Sequence, residues 1–146
     1  FVQSHRDPVR VLVSMSSLAA ALQRLSSDHV DLGEVTRYYG SALARGYDAT
    51  VAYRRSGKLP DSQVVDLYFR DCIRDQVGPV RRVYQHVDMS LSELAAGAMQ
   101  LFLDQHPADK YGKHLYSLAD TGLDEESLRE LFAGYETYFD IPREPV

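Results

Sequence analysis

The chain has 146 residues, 45% of them apolar, which is enough for one domain with a core of its own. Sixteen basic residues against 21 acidic ones give a formal charge of −5, arguing against a general nucleic-acid or anionic-membrane surface and leaving any anion site local. The single cysteine, Cys72, excludes an intrachain disulfide and suits a reduced, cytoplasmic setting, while no apolar run approaches the ~20 residues that span a bilayer.

The opening Phe1-Val2-Gln3-Ser4-His5 has no initiator Met and reads as the end of a strand already in progress, so a truncated or excised chain is expected. At Arg6-Asp7-Pro8 the strand turns into a helix, with Asp7 placed to cap it and Pro8 in its first turn. Val11, Leu12, Met15, Leu18, Leu22 and Leu25 recur at spacings of three and four, predicting one buried face as far as about Ser26. A second helix is predicted from Asp31-Leu32-Gly33-Glu34, a capping box, with Val35, Tyr38, Tyr39, Leu43 and Tyr47 inward. Gly57, Pro60 and Asp61 then break the pattern before a strand over Val64 to Phe69.

Helix is predicted again from Pro79 to His86, and after the capping box Ser90-Leu91-Ser92-Glu93, with Leu94, Ala98, Leu101 and Phe102 facing inward until Pro107. A loop rich in Lys, His, Tyr and Gly follows, and Asp124 caps a last helix carrying Leu128, Leu131, Phe132, Tyr135 and Phe139. About two strands and five helices result. Two strands alone seldom bury enough to be stable, so further strands are expected before Phe1.

Three segments could carry chemistry. Arg6 sits where a strand ends and a helix begins, a common ligand position in α/β proteins, and its planar fork suits a phosphate. Ser14 lies two turns into the helix and could share that phosphate; on spacing alone, Arg6 paired with a carboxylate and Ser14 as a packing residue is the commoner outcome. Lys110-Tyr111-Gly112-Lys113-His114 forms a cationic loop whose glycine lets backbone approach an anion, or else a solvated surface loop. Phe69 ends the second strand as a ring for stacking or for core packing. His29, His86 and His106 have no partner at metal-ligand spacing, so no metal site is indicated, and Cys72 reads as a small buried hydrophobe.

The order of an Arg at a strand end, a Pro two residues on and a Ser eight residues after the Arg resembles the sulfotransferases that use 3'-phosphoadenosine 5'-phosphosulfate. His5-Arg6-Asp7-Pro8 running into Ser16-Ser17-Leu18 resembles a bacterial branch of that superfamily, as do Ser117 to Leu123 and Phe132 to Phe139. The resemblance implies an α/β fold, with residues 1–146 as the helix-rich, C-terminal portion of a P-loop-type domain built on a parallel sheet. It implies that Arg6 and Ser14 contact the donor's 3'-phosphate, with a part for Ser14 in timing sulfuryl transfer, and that Lys110, Gly112, Lys113 and His114 belong to the loop covering the donor.

By the same resemblance Phe69 stands where the family has a Tyr near the adenine, so stacking persists without that hydroxyl. Two further departures are Pro107, Ala108 and Asp109, where the cytosolic animal enzymes carry Arg-Lys-Gly, and Gly78-Pro79 in place of Asp-Pro. The implied reaction moves a sulfuryl group to a hydroxyl or amine of a small-molecule, lipid or carbohydrate acceptor, without metal, nucleic acid or a transmembrane segment. The 5'-phosphosulfate loop and the base are expected in an N-terminal half absent from these residues, so the fragment alone is expected to be inactive. A catalytically degenerate binding protein and a related P-loop phosphotransferase are the alternatives.

Overall fold

In a computed structural model of the chain, residues 1–107 and 116–146 are described. They form a mixed α/β structure of two parallel strands and six α-helices, divided into two compact units. One unit holds Phe1–His5 and the stretch from Leu59; the other holds Arg6–Lys58 and the closing stretch to Val146.

In the first unit β1 (Val2–His5) pairs in parallel with β2 (Val65–Tyr68), in a register that sets Val2 against Val65 and His5 against Tyr68. His5 is buried at this seam: its Nε2 lies 2.9 Å from Asp66 Oδ1 and its ring stacks on Tyr68. Arg82 donates to the Asp66 carbonyl at 3.0 Å, tying a helix to the same strand. The second strand ends one residue earlier than the sequence pattern suggests. Phe69 instead opens a six-residue helix (Phe69–Arg74) that the apolar pattern conceals, because one short turn is too brief to show a period. The Asp75 carboxylate then accepts from the Val77 and Gly78 amides as the chain enters the helix Gly78–His86.

The helix Glu93–Gln105 is capped by Ser92, whose Oγ accepts from the Ala95 amide, and not by Ser90. Glu93 is drawn instead to Arg81, with bonds of 2.9 and 3.3 Å. Its expected inward face is also wrong: Leu94, Leu101 and Phe102 are 86%, 59% and 60% exposed, and the buried side chain is Ala96. Ala98 and Phe102 line an open apolar groove and Leu94 and Leu101 are exposed, so periodicity identified an apolar face without saying what covers it.

In the second unit α1 (Pro8–Gln23), α2 (Leu32–Arg55) and the last helix, α6 (Glu125–Phe139), pack together with a 3₁₀ turn at Leu118–Thr121; α3, α4 and α5 are the three helices of the first unit in chain order. Val9, Leu12 and Val13 of α1 meet Leu128 and Phe132 of α6 and Leu118 of the turn, with Tyr39, Leu43 and Tyr47 of α2 against them. Tyr47 stacks on Tyr135 at 4.1 Å and meets Phe132 edge-on. Phe132 is 1% exposed, and withdrawing a ring of that size from water contributes roughly 1.5–3 kcal/mol.

The buried face of α1 is rotated from the expected one. Val9, Leu12, Val13, Ser16 and Ala20 are buried, while Leu18, Leu22 and Leu25 are exposed and the helix ends at Gln23. On that face Leu12 is seated against Gly40 of α2, where an added Cβ would stand 3.3 Å from it. Tyr38 and Leu131, both expected inside, are exposed as well.

Candidate functional site

The corner after β1 is organised by Asp7. Its side chain is fully buried, and Oδ1 accepts from the Val9 and Arg10 amides at 2.8 and 3.2 Å, ending two of the donors that open α1. The same oxygen receives Arg129 Nη1 from α6 at 2.7 Å, and Oδ2 receives the Glu144 amide at 2.6 Å. Burial alone would push the Asp7 carboxyl up. The hydrogen bonds from Arg129, from the Glu144 amide and from the Arg10 amide outweigh it and hold the group below its ordinary range.

Arg129 is only 3% exposed and is met by three carboxylates: Asp7, Glu136 at 3.0 Å and Glu125 at 3.0 Å. Burial works against its charge, and those hydrogen bonds more than offset the penalty, so the guanidinium stays charged. Tyr47 faces the opposite balance, since burial and, second, the Asp7 charge both push its phenol up.

Arg6, the residue after β1, lies on the outer side of this corner with its side chain 28% exposed. Its guanidinium holds the Glu144 carboxylate in a fork: Nε donates at 3.1 and 3.2 Å to the two oxygens, and Nη2 donates at 2.9 Å. Glu144 itself is placed by the hydrogen bond its backbone N–H donates to Asp7, by burial of Ile141 before it and by packing of Val146 after it against the core. Ser14 is half-buried on α1, one turn beyond Arg10, so the two share a face of the helix. Arg10 lies over the Tyr116 ring at 4.6 Å.

Phe69 belongs to the other unit. It lines an apolar cavity of about 1010 Å³ with Ile73, Val77, Ala95, Met99 and Phe102. Lys110, Gly112, Lys113 and His114 lie outside the described residues. No group of three or more His, Cys, Asp or Glu side chains among the described residues is arranged to hold a metal ion, and no helix among them is long and apolar enough to cross a membrane.

Arg6 and Asp7 were legible in the sequence as a corner; Arg129 and Glu144 were not. They stand 122 and 138 residues from their partners, beyond any local pattern. A weaker signal was present in Glu125, Arg129 and Glu136, whose spacings of four and seven put them on one face of α6.

Residues 1–93 match the model of the sulfotransferase family. Among solved structures the chain is similar to sulfotransferase STF9 from Mycobacterium avium, at 27% identity and a TM-score of 0.84 over 99% of this chain and 37% of that one. It is also similar to sulfotransferase STF1 from Mycobacterium tuberculosis H37Rv, at 30% identity and a TM-score of 0.66 over 91% of this chain and 33% of that one. The chain thus spans about a third of the length of these structures. No curated protein matches it.

Proposed function

This chain is a member of the sulfotransferase family, and from that premise we propose that Arg6 and Ser14 hold the 3'-phosphate of 3'-phosphoadenosine 5'-phosphosulfate. The whole protein, on this reading, transfers the sulfuryl group to a hydroxyl or amine of a small-molecule acceptor, with residues 1–146 as the C-terminal portion of the transferase domain. Phe69 is assigned to the adenine, and Lys110, Gly112, Lys113 and His114 to the loop over the donor. The 5'-phosphosulfate loop and the base that takes the acceptor's proton are assigned to sequence before Phe1.

What supports the phosphate assignment is the family match over residues 1–93 together with the place of Arg6 at the end of a parallel strand; its guanidinium is paired with the Glu144 carboxylate, as spacing alone favoured, in a bidentate fork that it would also offer a phosphate. Two of the amides that open α1 are turned to Asp7, so side chains are the natural donors to an anion here. Ser14 adds a neutral donor on the same helix. When bound, the donor supplies the sulfuryl group; Arg6 and Ser14 act on its far end, fixing its position for transfer.

The test is calorimetric titration of the full-length protein with adenosine 3',5'-bisphosphate and with adenosine 5'-phosphate. Hydrogen bonds to a charged group are worth about 1.5–3 kcal/mol, so Arg6→Gln should weaken the bisphosphate about tenfold to a hundredfold and leave the 5'-phosphate nearly unchanged. Equal weakening of both nucleotides would remove Arg6 from the 3'-phosphate.

A further inference from the structure

The fork on Arg6 is filled by the protein's own carboxylate, which bears on how a phosphate would reach it. Glu144 accepts from both Nε and Nη2, so it takes the side-on edge of the guanidinium. A phosphate brought to Arg6 meets an anion already seated there. A phosphate bound through the same Nε–Nη2 edge has to take the place of the Glu144 carboxylate, because one edge of a guanidinium seats one bidentate partner. At that edge Glu144 and the phosphate are alternatives.

We propose that Glu144 is a resident occupant of the phosphate grip, a carboxylate that the donor's 3'-phosphate displaces on binding. The inference rests on the assignment of Arg6 to that phosphate. Its anchoring suits an exchange of this kind. The backbone of Glu144 is held at its amide by the buried Asp7, and the tail is fixed on either side by buried Ile141 and by Val146 on the core. The carboxylate is held only by Arg6 among the hydrogen bonds described for it, and its side chain is 29% exposed. Rotation of the Glu144 side chain into water thus opens the fork without moving the tail.

A tethered occupant competes at a fixed local concentration, whatever else is in solution. It keeps the Arg6 guanidinium ordered and its charge balanced when no donor is bound. It also sets a threshold, because an incoming anion must outbid a carboxylate already in place, and a doubly charged phosphate does so better than a singly charged ion. The tail carrying Glu144 thereby tunes donor affinity from outside the helix that presents Ser14.

Three variants of the full-length protein, Glu144→Gln, Glu144→Asp and Arg6→Gln, test this by calorimetric titration against adenosine 3',5'-bisphosphate and adenosine 5'-phosphate, with a ligand-free thermal melt of each. Removing the charge in Glu144→Gln should tighten the bisphosphate about two- to fivefold, the range for freeing a partly exposed ion pair, with no change for the 5'-phosphate. Glu144→Asp, shorter but charged, should fall between Glu144→Gln and the parent. Weaker or unchanged bisphosphate binding by a folded Glu144→Gln overturns the proposal, the first outcome marking Glu144 as a support for Arg6. If Arg6→Gln keeps its preference for the bisphosphate, the phosphate assignment itself fails, whatever Glu144→Gln does.

Discussion

Replacing Arg129 with Met takes away the cation that Asp7 meets at 2.7 Å while keeping most of the aliphatic volume. The Asp7 side chain is 0% exposed and would be left to three backbone amides, with its charge uncompensated in a dry setting. Breaking a buried pair in this way costs about 3–5 kcal/mol, whereas the arm from Arg129 to Glu125, which is 44% exposed, accounts for under about 1 kcal/mol. The expected loss is therefore about 3–5 kcal/mol, dominated by Asp7. Equilibrium urea unfolding of the full-length protein, followed by far-ultraviolet circular dichroism, reads it as a midpoint shift of at least about 1 M if the slope is about 3 kcal/mol per molar. The double variant Asp7→Asn, Arg129→Met should lose less than the sum of the single variants, since it leaves no buried charge unpaired. An Arg129→Met protein within about 1 kcal/mol of the parent, or strict additivity in the cycle, would refute the reasoning.

The depressed Asp7 carboxyl fixes a sign for acid stability: its contribution is fully present above the ordinary value of 3.8 and is lost as pH falls through the lower folded value, so melting temperatures should drop below about pH 4 and Asp7→Asn should flatten that drop. Gly33→Ala would place a Cβ 2.8 Å from the Thr121 carbonyl oxygen, where backbone cannot easily yield, and should cost about 1–3 kcal/mol in the same unfolding assay; a neutral result would mean that the 3₁₀ turn shifts freely. Ser16 is fully buried and its Oγ has no hydrogen-bond partner among the described residues, so Ser16→Ala should be neutral or stabilise by about 1 kcal/mol, and a clear loss of stability would show that the hydroxyl is satisfied.

What the sequence revealed and what it hid divide along the range of the forces involved. Asp7, Asp31, Ser92 and Asp124 cap their helices through amides two or three residues away, and three of these were legible because capping is a local hydrogen bond between near neighbours. Ser90 misled because Glu93, the other end of its apparent box, is engaged by Arg81 twelve residues earlier. Helix faces were less legible. Counting apolar side chains favoured Leu18, Leu22 and Leu25 on α1, but the face that is buried carries Val9, Leu12, Val13, Ser16 and Ala20, and the leucines are left outside. On α5 the apolar stripe was found and its burial was not, since a period reports a face and never its cover.

The candidate site shows the same division at closer range. Arg6, Asp7, Pro8 and Ser14 lie within nine residues, so the corner could be read in order, and the phosphate role of Arg6 and Ser14 is a proposal built on it. The groups that fix the corner come from the other end of the chain, Arg129 from α6 and Glu144 from the tail, and tertiary packing alone brings them there. Asp7 joins the two sets. One carboxylate caps α1, compensates a buried guanidinium and holds the amide of the residue that occupies Arg6. Because it engages the Val9 and Arg10 amides, the helix end is already satisfied, and on the proposed reading anion recognition at this corner falls to the Arg6 and Ser14 side chains. With Glu144 yielding to the donor as proposed, a fixed carboxylate inside and an exchangeable pair outside would place stability and binding on adjacent residues, so substitutions at Arg129 and at Glu144 should separate the two.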